Sequence, residues 1–449
     1  MTRPATPTTR PATPTTLSPT LLSRARAAAR PQVTGVVTGA MGLTLSVDGI
    51  AAAVGDLVEI NPGTRPLLAE VVAVGRDRLT CMPLGTLSGV HAGAPVRATG
   101  RPLQVPVGDA LLGRVLDGLG RPVDGGPPLA ARVSWVDLAS ETPHALARTR
   151  VEQPLTSGVR ALDTLVPCGK GQRLGIFAGS GVGKSSLLAQ ITRGTDADVR
   201  VIGLIGERGR EVREFLEENL GAEGMARTVV VVATSDEPPL TRLKAAFVAT
   251  RIAEAFRDQG RDVLLLMDSI TRTAMAQREV GLSAGAPPAT RGYPPSVFAM
   301  LPQLLEKAGT GATGSITGLY TVLVEGDDHN EPIADTARSI LDGHIVLTRA
   351  LATVGHFPAI DVLESISRVA GAVVPPPQMA DAREVRRLLG ALRDVKELVE
   401  IGAYQAGSDP LVDRARELGP QIDTFLRQPL GESTPAGESW AWLQRIVRS

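Results

Sequence analysis

Cysteine, histidine, lysine and long apolar runs are all scarce in this chain, and each scarcity removes a class of function. The two cysteines, Cys81 and Cys168, give neither a disulfide framework nor a zinc spacing. They are expected to be free thiols in a reducing compartment. Five histidines are scattered and form no metal cluster. No apolar run reaches the roughly 18 residues of a membrane span. The N-terminus shows no signal-peptide apolar stretch with a cleavage site, so a cytoplasmic protein is expected. Formal net charge is zero, and no bulk charge asks for nucleic acid or a membrane. Lysine occurs only at 170, 184, 244, 307 and 396, so nearly all of the 47 basic residues are arginine. What remains is a 449-residue chain, 43% apolar, long enough for two to four domains with a sizeable core.

Four regions follow along the chain. In residues 1–31, Thr-Arg-Pro-Ala-Thr-Pro-Thr at 2–8 repeats unchanged at 9–15. Such a segment buries no core and is expected to be disordered. A short basic helix is expected from Ser18 to Ala29, read either as a dock for an acidic partner or as a solvated lead-in. Residues 32–100 read as short strands at regular spacing. Gly42–Val47, Leu57–Ile60, Ala69–Val74 and Arg78–Met82 are separated by turns such as Asp48-Gly49 and Asn61-Pro-Gly63. That pattern predicts a small β-barrel. Single-strand RNA binding on such a barrel needs stacking aromatics. This segment has none, so it is read as a scaffold.

From 101 to 375 the pattern becomes apolar runs alternating with helical segments. Val199–Ile205, Thr228–Ala233, Asp262–Met267 and Leu319–Val324 are β-rich, with amphipathic stretches such as Arg242–Arg257 between. This predicts an α/β fold with a parallel sheet covered on both faces. Residues 376–449 read as a helical domain. There Val385, Leu388, Leu389, Leu392, Val395 and Val399 mark one face, for which core packing is the expected use.

The chemistry concentrates at three apolar strand ends. After Arg173-Leu-Gly-Ile-Phe comes Ala178-Gly179-Ser180-Gly181-Val182-Gly183-Lys184-Ser185-Ser186, then a helix-like run. Strand, glycine loop and helix, in that order, make a phosphate-binding loop. The glycines let backbone N–H groups curl toward phosphates, the helix start adds positive potential, and Lys184 supplies a point charge. The Ser185 hydroxyl is placed to ligate Mg²⁺. The strict pattern opens on Gly where this chain has Ala178. A second strand ends in Glu207-Arg208 and a third in Asp268-Ser269. In open α/β sheets ligands sit beyond the carboxyl ends of strands. Asp268 there is placed to hold the Mg²⁺ water shell, and Glu207 to orient an attacking water.

Gly206-Glu-Arg-Gly-Arg-Glu211 resembles the Gly-Glu-Arg-x-Arg-Glu motif of the rotary F1 β-type ATPases. Met267–Arg272, Ala274–Arg278, Pro288–Phe298, Glu325–Asp328, Pro332–Asp335, Leu341–Ile345 and Ile401–Pro410 narrow the likeness. From about residue 32 to 428 the chain resembles the flagellar export and type III secretion ATPases. The N-terminal repeat has no counterpart in that likeness. The resemblance implies a RecA-like nucleotide-binding core with an N-terminal barrel and a C-terminal helical domain. It implies that Glu207 is the general base and that Arg208 contacts the γ-phosphate region. Asp268 would coordinate magnesium, Phe357 would stack on adenine, and Arg368 would be an arginine finger reaching the neighbouring subunit. ATP and Mg²⁺ are the implied cofactors.

One chain type carrying loop, base and finger together can complete every site of a closed ring, so a homohexamer is expected. Implied partners are a coiled-coil stalk protein in the pore, a regulator on the N-terminal helix, the membrane export gate, and export substrates with their chaperones. The ring would then sit at the inner membrane beneath the flagellum, its pore lined by the Arg291–Phe298 region. Flagellar identity is favoured by Ala233–Pro238 and Thr250–Gln259. The alternatives are a virulence injectisome ATPase, an RNA-dependent ring translocase, a rotary synthase subunit, and a non-catalytic structural subunit.

Overall fold

The computed structural model describes residues 33–448, apart from 62, 64, 130, 131 and 325–330, together with the isolated positions Ser18 and Ser23. The N-terminal repeat, the rest of the expected basic helix and the 325–328 motif lie outside the described residues.

Strands alternating apolar and polar residues must hide one face, and here six of them close on themselves. In barrel order they are Gly35–Met41, Thr44–Asp48, Arg78–Pro83, Leu67–Val74, Asp56–Ile60 and Pro95–Pro102, each antiparallel to its neighbours. Val37, Leu45, Val47, Val58, Ile60, Val71, Leu79, Cys81 and Val96 fill the interior. Closure leaves no edge strand open to pairing.

The central sheet runs Ile360–Ser367, Gly343–Leu347, Arg173–Ala178, Ser315–Leu323, Asp262–Asp268, Val199–Glu207, Thr228–Thr234 and Val115–Asp117, with Gly309–Thr310 paired beside the fourth. Its interior strands are parallel. The edge strand Ile360–Ser367 and the short Gly309–Thr310 are antiparallel additions to the expected parallel sheet. Val199–Glu207 is buried at every position, which is why it reads as a continuous apolar run rather than an alternating one. Its side chains divide between two cores. Val201 and Ile205 join one, with helices Pro239–Arg257, Ile270–Ser283 and Pro295–Leu305. Ile202 and Leu204 join the other, with helix Lys184–Gly194 and the C-terminal helices.

Three helices, Pro376–Glu400, Pro410–Leu426 and Ala436–Arg448, close the chain. Val385 and Leu388 are fully buried. Leu389, Leu392, Val395 and Val399, on the same face, are half-buried as the first helix leaves the body of the sheet. Arg160, only 2% exposed, anchors this layer. It stands over the Trp442 ring at 4.9 Å and donates to the Phe425 carbonyl at 2.9 Å.

Candidate active site

The loop strand Arg173–Ala178 lies between strands Gly343–Leu347 and Ser315–Leu323 and delivers the glycine loop at its carboxyl end. Gly183 caps helix Lys184–Gly194 with φ of 87°. In that left-handed conformation a side chain would be strained, and a β-carbon there would also come within 3.2 Å of the Phe357 ring. The helix start therefore faces the cleft with backbone donors free of side-chain obstruction. Val182 is buried in the core, so only its backbone can meet a phosphate.

Asp262–Asp268 and Val199–Glu207 are neighbours in the sheet, so their carboxyl ends bring two acids to the same rim. Lys184 Nζ lies 2.6 Å from Asp268 Oδ1 and 3.6 Å from Glu207 Oε1. Thr321 Oγ1 donates to Asp268 Oδ1 at 2.6 Å, and Arg272 Nε to Glu207 Oε1 at 3.2 Å. Burial pushes the Glu207 carboxyl above the usual carboxylate range, opposed by Lys184 and reinforced by the Asp268 charge. Gly206, at φ of 73°, is needed beside it, since a β-carbon would come within 2.8 Å of Arg272 Cδ.

The loop residues Gly179, Ser180 and Gly181, with Lys184, Ser185, Ser186, Glu207, Arg208, Glu211, Arg272 and Arg349, line a cleft of about 660 Å³. Arg208 is largely exposed and pairs with Glu211 at 3.6 Å. A second cavity of about 480 Å³ shares Gly183 and Ser186 with the first and is walled by Leu187, Phe357, Gln428, Pro429 and Leu430. One is polar and rimmed by cations, the other apolar with an aromatic ring. A phosphate chain and a base, in that order, fit the pair.

The donors present also fit magnesium. The Ser185 hydroxyl and the Asp268 carboxylate are hard oxygen ligands, and no cluster of three or more acidic, histidine or cysteine ligands occurs among the described residues. Mg²⁺ binds through one or two protein oxygens plus phosphates and water rather than through an all-protein cage.

Arg368 does not join this site. It follows the antiparallel edge strand, where Ser367 pairs with Gly343. Gly343 begins a strand whose other end, Leu347, aligns with Ala178. Arg368, whose amide meets the Asp342 carbonyl, therefore leaves the opposite end of the sheet, about five residues of register or roughly 16 Å along the strand direction from where the loop begins. Its side chain is exposed.

Several groups around the site were given no role by the motifs. Thr321 had a signal, a polar residue inside an apolar buried strand. Arg272 had another, one helical turn after Asp268. Arg349, whose Nη2 donates to the Ser180 carbonyl at 3.2 Å, and the 428–430 wall had none.

This fold and site define a P-loop nucleotide-binding protein. Known proteins narrow it. The nucleotide-binding domain of the ATP synthase alpha/beta family matches residues 158–367, and that family's beta-barrel domain matches 37–100. The T3SS EscN ATPase C-terminal domain matches 374–445. The "Flagellum-specific ATP synthase" of Bacillus subtilis is 49% identical over 92% of this chain and 95% of its own. The "Type 3 secretion system ATPase" of Xanthomonas euvesicatoria is 51% identical over 88% of this chain and 90% of its own. The assembled ATPase EscN of enteropathogenic E. coli, in complex with its central stalk EscO, superposes with a TM-score of 0.86 at 45% identity, covering 92% of this chain and 100% of that one. The chain belongs to the ATP synthase alpha/beta family, in the branch of the flagellar and type III secretion ATPases.

Proposed function

We propose that this chain hydrolyses ATP to energise export of unfolded flagellar proteins through a type III apparatus, as a homohexameric ring. The observation that carries the reading is the split between Lys184, Glu207 and Asp268 at one end of the sheet and Arg368 at the other. Each chain holds most of one site and the finger for its neighbour's. Lys184 and the loop amides would hold the β- and γ-phosphates, and Phe357 would face the adenine. Ser185 and Asp268 would hold Mg²⁺, which when bound supplies charge neutralisation on the phosphate oxygens. Glu207 would take the proton of the attacking water, and Arg208 with the neighbour's Arg368 would offset charge developing on the γ-phosphate.

The complex of EscN with its stalk EscO supports a stalk partner here, with the Arg291–Phe298 segment facing the pore. The remaining partners are the export gate, substrate-bearing chaperones and a regulator on the N-terminal segment, with the ring held beneath the inner membrane. An aromatic-free barrel gives nucleic acid no stacking platform. A second reading, an injectisome ATPase, is favoured by the 51% identity to the Xanthomonas protein.

ATPase rate against protein concentration tests the assignment. Wild type should show sigmoidal activation, with both Glu207→Gln and Arg368→Ala inactive at every concentration. Linear activity that survives Arg368→Ala would remove the ring. Restoration of swimming, as against effector secretion, in matched deletion strains separates the two export systems.

A further inference from the structure

Gln172 sits at the root of the loop strand and is fully buried. Its side-chain oxygen accepts from the Gly169 amide at 2.9 Å. That bond alone would serve the local turn. Its amide nitrogen does something else: it donates at 3.1 Å to the Asp342 carbonyl and at 3.1 Å to Ser367 Oγ. Ser367 immediately precedes Arg368. The same Asp342 carbonyl accepts from the Arg368 amide at 3.0 Å. The Asp342 carboxylate in turn accepts from the Arg173 amide at 3.1 Å and from Arg173 Nε at 3.0 Å. The turn that carries Arg368 is thus tied on two sides to residues 172 and 173.

The Arg368 side chain is exposed, so its aim depends on the backbone from which it springs. Catalytic groups misplaced by about 1 Å can lose on the order of 10²-fold in rate. A buried amide that spends both donors on this turn is placed to prevent that.

We propose that Gln172 is a positioning residue for Arg368, fixing the turn from which the guanidinium reaches the neighbouring subunit's site. The proposal rests on the reading of Arg368 as a finger acting between subunits. It predicts that damage at Gln172 is felt in the neighbour's site and not in the chain's own, although Gln172 is close in sequence only to its own loop.

Mixed rings test this. Arg368→Ala subunits keep the phosphate loop, and Lys184→Ala subunits keep the finger. Each alone should be inactive, and mixing them should restore hydrolysis at the interfaces where an intact loop meets an intact finger. Gln172→Leu is then added to one subunit at a time. On the finger-donating Lys184→Ala subunit it should lower kcat about tenfold or more with KM for ATP unchanged. On the Arg368→Ala subunit it should leave the rate within about twofold. Equal losses from both placements, or none from either, would overturn the proposal. Failure of the parent mixture to recover activity would instead overturn the finger reading. Should Gln172→Leu not fold, Ser367→Ala removes only the hydroxyl acceptor and should show the same asymmetry at about threefold.

Discussion

Lys184 Nζ and Asp268 Oδ1, 84 positions apart in sequence, meet at 2.6 Å at the carboxyl rim of the sheet. Glu207 Oε1 lies 3.6 Å from the same ammonium. One cation thus serves two carboxylates that are each less than a tenth exposed. Buried charges persist only when paired and hydrogen-bonded, and Thr321 and Arg272 complete that requirement. In the proposed function an incoming triphosphate would compete with both acids for Lys184, releasing Asp268 and Glu207 for the roles proposed for them.

Glu207→Gln keeps the shape and removes the proposed base. Steady-state hydrolysis by the assembled protein should lose about 10² to 10⁴ in kcat, with KM for ATP changed by less than about threefold, since ground-state binding rests on the loop. Retention of kcat within about tenfold would assign the base elsewhere.

Phe357 presents its ring beside Gly183, and its carbonyl accepts from the Gln428 amide at 2.9 Å. Phe357→Ala should raise KM for ATP about tenfold, the loss of roughly 1 kcal/mol of aromatic contact and its buried area, while kcat stays near wild type. Phe357→Tyr should restore KM. A fall in kcat without a change in KM would place the ring outside the base pocket.

Arg160 donates to the carbonyls of Phe425 and Arg427, to Thr434 Oγ1 and to Glu432. These residues flank Gln428–Leu430, the far wall of the cavity beside Phe357, which is the proposed base pocket. Arg160→Met keeps the volume but orphans the carbonyls, at about 1–3 kcal/mol for each group left unpaired and buried. Calorimetry should show a lowered Tm, and KM for ATP should rise with it. An unchanged Tm would mean the C-terminal layer docks without this residue.

Asp163 gives a pH dependence with a definite sign. Burial pushes its carboxyl up to about 7, although Ser157 Oγ and the amides of Ser157 and Gly158 favour the ionised form. Its unfolded value is near about 3.9. A folded pKa above the unfolded one contributes stability that is full below about pH 4 and lost as pH rises through about 7. Asp163→Asn does not titrate. The Tm advantage of wild type over Asp163→Asn should therefore shrink between about pH 5 and about pH 8. An advantage that grows across that interval would reverse the assignment.

Much of this was legible locally. The glycine loop, the acids Glu207 and Asp268 at the ends of two apolar runs and the period-two barrel strands are written in contiguous residues. For Phe357 and Arg368, chain-level likeness suggested roles that no spacing could, and these remain proposals. The antiparallel edge strand was not legible, because a short apolar run states no direction. Gln428, Pro429 and Leu430 were not legible either. Nothing in those side chains announces a cavity wall until Arg160 and Gln190 pin the segment, with Gln190 Nε2 donating to the carbonyls of Pro429 and Glu432.

By itself the sequence determined which groups exist and in what local frame: a curled loop before a helix, acids at strand ends, a barrel without rings. Tertiary structure decided their company. Strand order set Asp268 and Glu207 beside Lys184, and the reversal of one edge strand sent Arg368 to the opposite end of the sheet from its own loop. The reason is physical. Turns, caps and strand patterns arise from interactions within a few residues, whereas strand order and direction are settled by which faces bury together, a choice made over the whole chain at once.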